Sequence, residues 1–228
     1  MATNGTNANA MGAGFNRFGY TTIWNAKLYK LTDPAGYATT GVEPSQYSLF
    51  VDDNSEPIVL DSLKIANFTQ EGPTTVITGG QSDNPLIKAG KKERLEMQDA
   101  LGNMNVLEAM GVIERIPDTG GTGTVGYGFP NSFPGPIAIE GETYIIDQVT
   151  GKQIKMFITV WQFLPDGINT FTQESGGAGS VFDLNGDVLA TYVKADTTVR
   201  TTFKDFTTEG FLKDTTTKIK PDGTTVGA

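Results

Sequence analysis

Apolar and polar residues alternate with a period of two along most of the 228-residue chain, which is the signature of half-buried strands. Between residues 21 and 31, Trp24, Ala26 and Leu28 share one face and Asn25 and Lys27 the other. Residues 47–51 form a short strand stopped by Asp52-Asp53-Asn54. In 57–69, Leu63 and Ile65 alternate with Ser62 and Lys64, and Phe68 falls out of phase, which predicts a bulge near Ala66-Asn67. Gln70-Glu71-Gly72-Pro73 then turns the chain, so that 74–78 returns as the second strand of a hairpin. In 91–98, Leu95 and Met97 alternate with Arg94, Glu96 and Gln98. Residues 112–116 read as a short strand. Strands at 143–149 and 153–164 pair across Thr150-Gly151-Lys152, and the second is apolar on both faces, as in a central strand covered on both sides. Asn185-Gly186 predicts a hairpin within 181–188, and 197–206 is the last strand.

One stretch breaks the two-residue period. Val106, Leu107 and Met110 fall at helical spacing; Asn105 is placed to cap the helix, Glu108 stands three residues later in the capping-box position, and Gly111 suits a left-handed C-terminal residue. The expected fold is therefore mainly β: a β-sandwich or partly closed barrel of about eight strands with one short flanking helix, long loops and terminal arms. Residues 1–20 form an N-terminal arm and 21–206 the β domain. Residues 33–46 and 117–136 are inserted loops, and 207–228 is a polar, Thr-rich C-terminal tail or arm. The first arm is either a disordered terminus or one that orders on a neighbouring subunit, burying Phe15 and Phe18.

Composition narrows the chemistry. The chain has no histidine and no cysteine, which removes disulfides, thiol nucleophiles, imidazole bases and the usual zinc sites. Its net charge of −9 argues against affinity for nucleic acid by phosphate neutralisation. No apolar run reaches the roughly 20 residues of a membrane-spanning helix, and the N-terminal residues lack the pattern of a secretory signal. Gly121, Gly123 and Gly126 match G-x-G-x-x-G but run into Tyr-Gly-Phe-Pro, where no helix opens to receive a pyrophosphate. Asp183, Asn185 and Asp187 read as turn residues rather than calcium ligands, since no Glu closes a twelve-residue loop. Paired acids such as Asp52-Asp53 have nothing to place a substrate between them. No catalytic residue, cofactor or metal is expected.

Thr78-Gly79-Gly80, then Asn84-Pro85-Leu86, then a charged strand ending in Glu96, Asp99, Ala100 and Leu101, then a helix with Leu107 and Met110 resembles the tail tube (major tail) proteins of long-tailed bacteriophages and prophages. The stretch 179–190 adds a second match, and together they cover about 45 residues of the 228. The resemblance implies a β-sandwich flanked by one helix, with subunits stacked as hexameric rings into a tube through which DNA leaves the capsid. It implies self-association, partner proteins at the ends of the tube (tape measure, tail terminator, baseplate or tail tip, and in some tails a sheath), synthesis in the host cytoplasm, residence in the virion tail, and no membrane insertion. The subunit-interface candidates are Phe15, Phe18, Asp83, Asn84, Pro85, Leu86, Tyr127, Phe129 and Phe133. The lumen-facing candidates are Asp61, Asn67 and Glu71, where acid would let DNA pass without sticking. The alternative is a β-sandwich binding or adhesion module for carbohydrate or a surface, with Tyr127, Phe129 and Phe133 as its platform.

Overall fold

The computed structural model describes residues 18–20, 22–32, 41–61, 63–71, 74–75, 87–88, 92–99, 103–121, 123–131, 135–147, 151–166, 171–172, 181–195, 198–213 and 215–226. The first strands are β1 (Phe18–Tyr20), β2 (Trp24–Leu31), β3 (Tyr47–Phe50) and β4 (Val59–Leu60). Next come β5 (Leu63–Glu71), β6 (Thr74–Thr75), β7 (Ile87–Lys88) and β8 (Lys92–Asp99). After helix α1 (Met104–Ala109) follow β9 (Glu114–Pro117), β10 (Thr124–Gly128), β11 (Ile137–Asp147), β12 (Gln153–Pro165), β13 (Phe171–Thr172) and β14 (Val181–Val188). The last are β15 (Thr191–Ala195), β16 (Thr198–Thr202), β17 (Lys204–Thr207), β18 (Lys218–Ile219) and β19 (Thr225–Val226).

Thirteen of these strands join one sheet in the order β19-β18-β3-β2-β11-β12-β14-β8-β5, with β1 beside β11, β4 beside β2, β13 beside β14 and β17 beside β12. All of these pairs are antiparallel except β18 with β3. The sheet is open rather than closed into a barrel. Two-stranded ribbons β6–β7, β9–β10 and β15–β16 and helix α1 complete a mainly β, sandwich-like architecture.

Period-two alternation divides the apolar residues between the two faces. Ala26 and Leu28 of β2, Ile137 and Ile139 of β11, and Ile158 and Val160 of β12 enter a larger cluster, which α1 covers with Val106, Leu107, Ala109 and Met110. Tyr29 and Leu31, Ala138, and Trp161 of the same three strands enter a smaller cluster on the other face, closed by Val193 of β15 and by Leu212. The central, doubly covered strand read from 153–164 is β12.

Five local readings are corrected. The cap of α1 is Asn103, whose side chain accepts the Asn105 amide at 3.0 Å; two asparagines two residues apart offer the same cap, and the helix takes the earlier one. Gly111 has φ +72, as a left-handed C-terminal residue requires. Asn185-Gly186 makes no turn: β14 runs straight through it. A Cβ on Gly186 would lie 2.3 Å from the Leu164 carbonyl oxygen and 2.7 Å from the Phe163 ring, so this glycine permits close approach to β12 rather than chain reversal. The described partner of 63–71 is β8: Glu71 faces Lys92, whereas Thr74 and Thr75 of the expected return strand face Lys88 and Ile87, and 76–78 lie outside the described residues. Its register shift falls between Leu63 and Ile65, ahead of the expected Ala66-Asn67. Finally, Trp24 leaves the face of Ala26 and Leu28. Asn25 adopts φ +50 where the register with β11 shifts between Glu140 and Glu142, and this bulge turns Trp24 outward to 39% exposure.

Within 117–136, residues 124–128 form β10 and pair with β9. Beyond β17 the chain crosses the face of the smaller cluster. Leu212 is buried there, the Phe211 ring lies 5.4 Å from that of Trp161, and β18 adds to β3.

Candidate assembly interface

The sheet ends on β5, a nine-residue strand whose outer edge has no partner strand among the described residues. Asn67 and Thr69 are exposed on it, and Phe68 packs inward on the larger cluster. A long edge of this kind presents unpaired N–H and C=O groups to any strand that can lie alongside.

The expected site residues fall in different places. Phe15, Asp83, Asn84, Pro85, Leu86 and Phe133 lie outside the described residues. Phe18 opens β1 and stands opposite Asp147 of β11. Tyr127 lies in β10 and packs against the larger cluster, whereas Phe129 just follows that strand and is 66% exposed. Of the expected lumen residues, Asp61 is exposed between β4 and β5, Asn67 is exposed on β5, and Glu71 is the last residue of β5.

A surface that periodicity missed lies at the outer part of β11 and β12. Trp24, turned out by the bulge, stacks on Tyr144 with ring centroids 6.0 Å apart and planes 15° apart. The Lys155 ammonium sits 5.6 Å from the Trp24 ring centre, 5.3 Å from that of Phe157 and 2.6 Å from the Glu142 carboxylate. Phe157 and Glu142 also line an adjoining cleft of about 450 Å³, bounded by Tyr29, Gly210 and Lys213 and rimmed by Lys27 and Glu209. The one hint in the sequence was Glu140 to Glu142, charged residues inside an otherwise apolar strand.

Buried polar contacts hold these surfaces in place. Glu140 accepts the Thr159 hydroxyl at 2.8 Å and the backbone amides of Phe211, Leu212 and Lys213 at 2.7, 2.9 and 3.0 Å, a concave set of N–H groups closing on an anion. A Cβ on Gly210 would lie 2.7 Å from the Glu140 carboxylate, and the Tyr29 hydroxyl donates to the Lys213 carbonyl at 2.7 Å. Asp205 accepts Trp161 Nε1 at 2.6 Å and both Arg200 terminal nitrogens at 2.5 Å. These bonds hold the Arg200 guanidinium above its ordinary pKa against the pull of burial. On the other face, Glu93 pairs with Lys204, whose ammonium lies 4.3 Å from the Phe68 ring centre and which burial pushes down to about 8. Arg115 of β9 ties its ribbon to the helix through Glu108 at 2.7 Å and to Asp53 at 2.9 Å. Burial opposes the Arg115 charge, but the two carboxylates outweigh it and raise its pKa; Glu108 is raised, mainly by burial.

Among the described residues, no helix is long and apolar enough to cross a membrane, and no group of acidic residues could hold a metal ion. No protein-family model and no curated protein matches the chain. A chain in the cryo-EM structure of the six-fold symmetrised baseplate of the anti-feeding prophage is similar to it at 9% identity, covering 85% of this chain and 97% of that one with a TM-score of 0.35.

Proposed function

We propose that this chain is a structural subunit of a phage-type tail, and more narrowly a tail tube protein that polymerises as stacked, hexameric rings with an acidic lumen for DNA passage. The observation that carries the reading is the open sheet ending on the nine-residue strand β5, whose outer edge has no partner among the described residues. A ring of such sheets, each continued by the next subunit, removes the edges a monomer would have to protect. The resemblance over residues 78–110 supports it, as does the net charge of −9, which keeps phosphates from adhering to a lumen lined by residues such as Asp61, Asn67 and Glu71. Its partners are further copies of itself and the proteins that measure, terminate and tip the tail. It is made in the host cytoplasm and works in the virion, without catalytic activity or cofactor.

Negative-stain microscopy of the purified protein at high concentration tests the assembly. Rings or tubes are expected; a monodisperse monomer that binds a glycan would replace this reading with the adhesion-module alternative. Elemental and nucleotide analysis of the same sample tests the absence of chemistry, and stoichiometric zinc or a retained nucleotide would overturn that part.

A further inference from the structure

The pair Asn185-Gly186 has the composition of a tight turn, yet it lies inside β14 with a strand on either side. Asn185 stands across from Glu96 of β8, and Gly186 is flanked by Leu95 of β8 and Pro165 of β12. The Asn185 carbonyl accepts the Asp166 amide at 2.9 Å. Leu184 and Val188, to either side of the pair, are buried in the larger cluster. Packing demands the glycine, because any Cβ there would meet the Leu164 carbonyl and the Phe163 ring.

That demand has a chemical consequence. In an asparagine–glycine pair no side chain shields the second backbone nitrogen from the asparagine side-chain carbon, and the freedom of glycine lets an unfolded chain bring the two together. Ring closure needs a twist about the Asn185 Cα–C bond that the extended backbone of a paired strand does not adopt.

We propose that Asn185 is a self-modification site gated by folding: inert while β14 is in the sheet, and converted to aspartate or isoaspartate once β14 leaves it. The Gly186 nitrogen attacks the Asn185 side-chain carbon. Its proton and the side-chain amide depart together as ammonia, which leaves a succinimide. One water then opens the ring, at the side-chain carbonyl to give aspartate or at the main-chain carbonyl to give isoaspartate. No redox partner is involved. The step goes beyond the self-assembly reading and does not depend on it.

Either product opposes the return of β14 to the sheet. A carboxylate at position 185 faces that of Glu96, and like charges directly opposite each other destabilise a strand pair. Isoaspartate also lengthens the main chain by a methylene between Leu184 and Gly186, two residues that the register with β8 and β12 holds in place. Prolonged unfolding therefore becomes irreversible through one covalent change.

The test incubates the whole protein in mildly alkaline buffer, with and without guanidinium chloride, beside a synthetic peptide of residues 181–190. Peptide mapping by mass spectrometry follows loss of the amide and appearance of isoaspartate at position 185. The unfolded chain should convert as fast as the peptide. The native chain should convert more than about a hundredfold more slowly, since cyclisation must wait for an inner strand to open. A native chain that converts as fast as the peptide would overturn the gating, and an unfolded chain that keeps its asparagine while the peptide converts would overturn the site. Dilution out of denaturant then sorts the same sample: converted chains should collect in the fraction that fails to refold. An equal share of them in the refolded fraction would show that the modification leaves β14 free to pair and would overturn the irreversibility.

Discussion

The two faces of the central sheet are covered by different means. On the face of the larger cluster, aliphatic side chains of β2, β11 and β12 meet α1 through Val106, Leu107 and Met110, and contact there is non-directional and additive in area. On the opposite face, carboxylates hold β17 and the chain after it: Glu140 gathers the three consecutive backbone amides of 211–213, and Asp205 of β17 gathers the Trp161 indole and the Arg200 fork. The first arrangement tolerates exchange of one apolar side chain for another of similar volume. The second depends on specific acceptors and leaves buried donors unsatisfied when one is removed.

The sharpest test of that contrast is Glu140→Ala. It strips acceptors from three amides and one hydroxyl, and at roughly 1–3 kcal/mol per unsatisfied buried donor, partly relieved by water from the cleft, it should cost about 4 kcal/mol. Glu140→Gln should recover less than half of this, because its NH₂ group meets donors where the carboxylate met none. Denaturant titration measures both, and a Gln variant as stable as wild type would show that shape rather than charge holds the segment.

Leu107→Ala, on the aliphatic face, should cost about 3 kcal/mol through lost burial and the cavity left behind. Leu107→Met should cost under roughly 1.5 kcal/mol, since volume is conserved. If Leu107→Met proves as damaging as Leu107→Ala, the first face is as exacting as the second and the contrast fails.

Asp205→Asn should cost about 2 kcal/mol, because an acceptor for Trp161 Nε1 remains while the charge opposite Arg200 is lost. The Arg200 side chain is 39% exposed, so solvent screening limits the ionic part. In a Trp24→Phe background, which leaves Trp161 as the one fluorophore of its kind, iodide quenching should rise if the second face loosens locally; thermal unfolding with unchanged quenching would point to a global effect instead.

The smallest expected effect concerns pH. Burial raises the Glu108 pKa, so the folded state holds that proton to higher pH than the unfolded chain does. The associated stability is present below the ordinary carboxylate range and is lost as pH rises through the raised value. Glu108→Gln should flatten the stability–pH curve in that window, and an unaltered curve would show that Arg115 cancels the burial effect.

Much of the architecture was legible because strand periodicity is local. The apolar positions at Leu95 and Met97, the doubly apolar run in β12, the reversal at Gly151-Lys152 and the left-handed Gly111 all follow from neighbours along the chain. Less of the candidate interface was legible. Trp24 shares the parity of Ala26 and Leu28 and was expected on their face, and only the bulge at Asn25 turned it out. Tyr127 and Phe129 likewise share a parity and yet differ in burial, because β10 ends at Gly128 and its alternation ends there too.

Residue order by itself determined that the chain would be mainly β with one short helix, that β12 would be central, and that imidazole and thiol chemistry were absent. Those conclusions depend on composition and on contacts a few residues apart. Tertiary structure alone decided that Gly186 serves close packing rather than a turn, that β5 pairs with β8 while Thr74 and Thr75 pair with β7, and that Glu140 clasps a segment about seventy residues later. Each is a pairing between distant parts of the chain, whose cost is the entropy of closing a long loop and whose gain appears only when the partner surface is already formed. A glycine, an edge or a buried carboxylate carries no local mark of the partner it will meet.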